Sequence, residues 1–175
     1  RASDYRGLPF RSNQQVQVGL TKILAKNFYL RWQTTYRSSW LTADTDGNGA
    51  AELAAIGGDR VRAEVRDARS GAQLAEIGFD WGAGNPPVDL EIAPDQDGNG
   101  VPELVNLDTG PVKAQVKDSR TGNFISRPYF SDYFTPLDIE VYPDLDADGI
   151  PELAVLGTND GIFKAERLEV RNLLT

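Results

Sequence analysis

The chain has 175 residues, 40% apolar and 25% charged, the balance of a folded protein; a chain of this length can bury roughly 70% of its unfolded surface. A net charge of −8 disfavours nucleic acid and anionic lipid as partners, and the lack of any Cys or His excludes thiol chemistry, disulfides, the usual zinc and copper sites and any Ser-His-Asp or Cys-His catalytic machine. No apolar run approaches the ~20 residues of a bilayer span, so membrane insertion is not expected.

The chain opens on Arg1 and contains no Met, as expected of a processed or truncated start, which is compatible with a removed signal segment. Residues 1–36 read as a partial repeat, with one strand at Val16–Val18 and another at Phe28–Trp32. Leu20–Leu30 lacks a helical period and is expected to be strand or irregular loop. Arg37–Thr42 then begins a first full repeat over 37–87. A second repeat covers 88–136 and a shortened third covers 137–175.

Each full repeat carries four strand signals, here lettered a to d. In the second, strand a is Val88–Ile92, with Val88, Leu90 and Ile92 alternating with Asp89 and Glu91. Strand b is Leu104–Leu107, strand c is Val112–Lys117, and strand d lies near Phe124–Tyr129. In the third, strand a is Leu137–Val141, strand b is Leu153–Leu156, and strand c lies within Arg167–Thr175. Strand b is a short apolar run, as in a strand covered on both faces. Strand c alternates strictly (Val61, Ala63 and Val65 against Arg62, Glu64 and Arg66), as in a strand with one wet face. Ser70-Gly71 and Thr121-Gly122 are hairpin turn signals. The expected fold is all-β: about three four-stranded antiparallel propeller-type blades of ~50 residues each.

Between strands a and b each repeat holds the same Asp-rich loop, DTDGNGAAEL, DQDGNGVPEL and DLDADGIPEL. The first aspartates, Asp44, Asp95 and Asp144, are 51 and 49 residues apart. Calcium takes six to eight oxygen ligands and suits carboxylates on alternate residues of a tight loop. Positions 1, 3 and 5 are Asp44, Asp46 and Asn48; Asp95, Asp97 and Asn99; and Asp144, Asp146 and Asp148. Position 6 is Gly49, Gly100 or Gly149, where the chain must turn sharply. The position-7 carbonyls of Ala50, Val101 and Ile150 are expected ligands, and Glu52, Glu103 and Glu152 at position 9 can close the shell directly or through water. Three calcium sites are therefore expected, the third the tightest because its loop carries four carboxylates. An EF-hand does not fit, since its twelfth position requires a bidentate Glu and here holds Ala55, Asn106 and Val155. Asx-type turns without metal would use the same Asp, Asn and Gly residues.

At these loops the sequence resembles the FG-GAP and VCBS-type repeats, including the calcium loops of integrin alpha-chain propellers. It departs from them in having Glu52, Glu103 and Glu152 where their loops often end in Asp. The resemblance implies calcium binding at the loop residues named above. It also implies an extracellular propeller-like scaffold of the kind used in adhesion or attached to secreted polysaccharide-degrading enzymes.

The expected function is a calcium-stabilised, non-catalytic scaffold, secreted or at the cell surface. It would adhere to a cell-surface protein or polysaccharide; and since about three blades fall short of the four to eight of a propeller, the chain is expected either to be part of a longer propeller or to assemble with copies of itself head to tail by blade completion. A module of a polysaccharide-degrading enzyme and a carbohydrate-binding propeller fragment are the alternatives. Asp89, Glu91, Asp138 and Glu140 could serve a glycosidase, but their alternation places them on wet strand faces as solvated charges. Phe79, Trp81, Tyr129, Phe130, Tyr133 and Phe134 could bind sugar or protein, and packing between blades is their commoner use.

Overall fold

The computed structural model describes residues 16–25, 28–40, 44–57, 62–80, 87–109, 112–131, 134–159 and 166–175. The chain is all-β, with twelve strands in three antiparallel sheets among the described residues. The first sheet comprises β1 (Val16–Ala25), β2 (Phe28–Trp40), β3 (Glu52–Gly57), β4 (Arg62–Asp67) and β5 (Gln73–Gly78) in sequential order. The second comprises β6 (Pro87–Ala93), β7 (Glu103–Asp108), β8 (Ala114–Asp118) and β9 (Phe124–Ser126). The third comprises β10 (Phe134–Tyr142), β11 (Glu152–Asn159) and β12 (Glu166–Asn172). No closed barrel or propeller ring forms among the described residues.

The second sheet realises strands a to d, and the third realises a to c. The first differs from the four-stranded expectation. Phe28–Trp32 and Arg37–Trp40, expected as separate strands, are parts of one strand, β2. Phe28–Trp40 contains neither Gly nor Pro and is rich in aromatic residues and Thr, so nothing interrupts an extended conformation. Its first part pairs with β1 as far as Val16↔Tyr36, and its last part pairs with β3 as far as Trp40↔Leu53. The hairpin thus adds a fifth strand.

Register makes the three sheets comparable. Leu53 pairs with Arg66, Leu104 with Lys117 and Leu153 with Arg171, so these residues hold equivalent positions. Two cores follow. Ala54, Ile56, Ala63 and Val65 of the first sheet pack against Leu90 and Leu104 of the second. Val105, Leu107, Ala114 and Val116, on the opposite face of the second sheet, pack against Ile139, Leu153 and Val155 of the third.

The middle sheet is consequently covered on both faces, which overturns the wet-face expectation for its charges. Asp89, Glu91, Gln115 and Lys117 are all buried. Asp89 hydrogen bonds with the Asp138 carboxyl, and burial, then that contact, push its pKa up. Asp138 is half-buried, and Glu140 alone of the four acids is exposed.

Strand c also ties each of these sheets to the connection that leads into it. Gln115 accepts the Asp80 N–H at 2.9 Å and donates to the Asp80 carboxylate at 3.0 Å. Lys117 donates to the Gly78 carbonyl at 2.7 Å and stands over the Phe79 ring. At the equivalent positions of β12, Glu169 accepts the Ser131 N–H at 3.1 Å. Arg171 donates to the Tyr129 carbonyl at 3.2 Å and stands over the Phe130 ring. Phe79, Phe130 and Phe134 are buried, so packing claims those rings, whereas Tyr129 is exposed. Trp81 and Tyr133 lie outside the described residues.

Candidate metal centre

The three loops fold alike. The position-1 aspartate accepts most of the loop's backbone N–H groups: Asp44 Oδ1 takes those of Gly47 and Asn48, and Oδ2 takes that of Gly49. Asp95 does the same with Gly98, Asn99 and Gly100, and Asp144 with Ala147, Asp148 and Gly149. These bonds lower the Asp44 and Asp95 pKa values, the N–H groups of Gly49 and Gly100 contributing most. The chain can turn this tightly because positions 4 and 6 adopt positive φ, at Gly47 and Gly49, Gly98 and Gly100, and Ala147 and Gly149. Position 5 is fixed next: Oδ1 of Asn48, Asn99 and Asp148 accepts the N–H of Ala50, Val101 and Ile150, each at 2.8 Å.

Asx turns alone would account for the geometry so far. They do not require a buried glutamate. Glu52, Glu103 and Glu152 begin strand b and lie under their loops, each at most 5% exposed. One carboxylate oxygen of each accepts the position-2 N–H of Thr45, Gln96 or Leu145, at 2.8, 2.6 and 2.7 Å. The other oxygen is buried without a hydrogen-bond partner in all three repeats. Each of these glutamates also belongs to a group in which one ligand atom from every residue lies within 4.8 Å of the others: Asp44, Asp46 and Glu52; Asp95, Asp97 and Glu103; and Asp144, Asp146, Asp148 and Glu152. Like charges 4 Å apart repel by about 4 kcal/mol per pair at an effective dielectric constant near 20, and a buried carboxylate oxygen without a partner is costly. A cation at the convergence point offsets both. The residues therefore fit a hard metal ion held by oxygen. The strain shows in Glu103, whose pKa is pushed up to about 7 by burial and by the neighbouring carboxylates of Asp97, Asp118 and Asp95.

The sequence reading missed the residue that braces each loop, the one that ends strand c. The Asn48 side-chain amide donates to Asp67 at 2.5 Å, and that of Asn99 donates to Asp118 at 2.7 Å. In the third repeat the two residue types are exchanged, and the Asn172 amide donates to Asp148 at 2.7 Å. Asp67 and Asp118 also cap the turns that follow, taking the N–H of Ser70 and Thr121 on Oδ1. The Ser70 hydroxyl and Asn48 bring the Asp67 pKa down to about 2. For Asp118, burial pushes the pKa up, but the bonds from Thr121 and Asn99 outweigh it and the pKa falls. Asp67 and Asp118 thus stand behind Asn48 and Asn99, outside the converging groups, and the third loop keeps four converging carboxylates against three in each of the others. The in-phase Asp67, Asp118 and Asn172 of the repeat alignment were the available signal. The three sites recur within one chain; beyond it, no protein-family model matches, and neither the curated proteins nor the solved structures contain a match.

Proposed function

We propose that the three loops bind calcium and that the chain is a calcium-stabilised, non-catalytic scaffold of propeller-type blades. It would work outside the cell, in adhesion or assembly. The observation that carries this reading is the buried glutamate oxygen without a partner, repeated three times opposite two or more carboxylates. Calcium is favoured over magnesium because the donor set offers many oxygens, whereas magnesium prefers to keep several of its waters. Asp44, Asp46, Asn48, the Ala50 carbonyl and Glu52 would hold the first ion. Asp95, Asp97, Asn99, the Val101 carbonyl and Glu103 would hold the second. Asp144, Asp146, Asp148, the Ile150 carbonyl and Glu152 would hold the third. At the near-millimolar level of extracellular calcium even weak sites of this type fill, and an ion bound only by the folded state stabilises it by mass action.

The test is a calorimetric titration of the metal-stripped protein with thermal melts alongside. Three equivalents of calcium and a rise in Tm are expected, with Glu103→Gln reducing the count to two. Absence of both heat and a Tm shift would overturn the calcium reading and leave the loops as turns. Exposed Tyr129 keeps carbohydrate binding open as a second reading.

A further inference from the structure

Both interfaces between sheets use the same four register positions on the face turned toward the following sheet. In the first sheet these are Ala54, Ile56, Ala63 and Val65, and in the second Val105, Leu107, Ala114 and Val116. None of the eight is more than 1% exposed. In the third sheet the same positions hold Ala154, Leu156, Leu168 and Val170, and their register places them on one face with Glu140 and Tyr142. Here Leu156 is 40% exposed and Leu168 62%. Val170 and Tyr142 are exposed as well, and so is Leu137, one residue before Asp138. A groove of about 200 Å³, lined by Asp138, Glu140, Tyr142, Leu156 and Leu168, crosses this face. Exposed apolar side chains grouped on one face in this way point to an interaction surface.

What covers the face in both observed cases is the reverse face of a sheet of the same repeat, and the molecule presents one more such face. On the first sheet, Leu53 and Ala55 hold the positions of Leu104 and Asn106, and of Leu153 and Val155. The four latter residues are fully buried, whereas Leu53 and Ala55 are only half-buried. The positions of the strand-c tie carry charged residues there too. Glu64 and Arg66 occupy the positions of Gln115 and Lys117, but they hold each other and the Gly71 carbonyl of their own hairpin.

We propose that the exposed face of the third sheet docks the outer face of the first sheet of a second copy, so that copies add head to tail by stacking sheets. This deepens the scaffold reading by naming its partner and surface, and it does not depend on the loops holding calcium. The contact is heterologous, so its rotation decides between a ring and an open filament.

The experiment is sedimentation velocity of the calcium-supplemented protein from low to high micromolar concentration. The wild-type mass should rise with concentration. Leu168→Asp, at an exposed position, and Ala55→Arg, on the other face, should each leave monomer, with association weakened by about tenfold or more. Thermal melts confirm that each variant folds, and Val170→Lys is a second substitution on the same face. Mixing Leu168→Asp with Ala55→Arg leaves one intact interface per pair and should yield heterodimers and nothing larger. A wild type that stays monomeric, assembly that survives Leu168→Asp, or a mixture that forms no dimer would each overturn the proposal. Calcium titration of the monomeric variants reports on the metal reading separately.

Discussion

The exchanged pair at position 5 and the end of strand c gives a test at the level of single residues. In the second repeat the Asn99 amide faces the buried Asp118 carboxylate at 2.7 Å. Asn99→Asp sets two carboxylates against each other and should cost metal-free stability, roughly 1–3 kcal/mol as for other strongly coupled neighbours. Adding Asp118→Asn reproduces the third repeat's arrangement and should recover most of the loss. Chemical denaturation of both singles and the double gives the coupling, and additive effects would show that the pair does not interact. Ala147 is the residue out of place in the third loop, holding φ 66 where the other loops have glycine. An L-residue costs about 1–2 kcal/mol there, so Ala147→Gly should raise the melting temperature of the metal-free protein. The position-1, -3, -5 and -9 side chains were legible in the sequence because their spacing is their chemistry. Asp67 and Asp118 were not, because they reach the loop through strand pairing from 19 residues away.

Among the elements, strand c shows why alternation alone does not decide which face is wet. In β4 the small apolar residues are buried and Arg62, Glu64 and Arg66 point outward, as the period-two pattern predicts. In β8 every residue is buried. In β12 the sense is inverted, with Glu169 buried while Leu168 and Val170 are exposed. The pattern fixes that two faces exist, and the neighbouring sheets decide what each meets. The same limit hid the burial of Asp89 and Glu91, although the strands themselves and their turns could be read directly. Strand b has its own sensitive point at Gly157, where an added Cβ would lie 2.4 Å from the Thr135 carbonyl and 2.6 Å from the Phe134 ring. Gly157→Ala should destabilise the third sheet by about 1–3 kcal/mol, measurable as a lower denaturation midpoint with unchanged calcium stoichiometry.

For the whole molecule, buried acids set a pH dependence that calcium should reverse in part. Burial and nearby carboxylates raise Glu103 from 4.5 to about 7, and burial raises Asp89 in the same direction. The folded metal-free protein therefore binds more protons than the unfolded chain in this range, and its stability falls as pH rises. Asp67, lowered to about 2, acts oppositely but only in strong acid. Melts with a chelator present should show a lower Tm at pH 8 than at pH 5.5. With excess calcium the Glu103 part of that slope should vanish, because the ion holds the carboxylate ionised. A chelated protein whose Tm rises across this range would contradict the assignment of these buried acids.

Asp118 joins two structures that would otherwise move separately, since one of its oxygens serves the metal loop and the other the turn between β8 and β9. Local opening of that turn must then loosen the loop, and an ion that holds the loop shut slows the opening. Amide hydrogen exchange at Thr121 and Gly122, remote in sequence from every proposed ligand, should report calcium occupancy. In the third repeat the corresponding signal runs through Asn172, which accepts the Leu174 N–H, so there the amides that report binding are those of the last few residues of the chain.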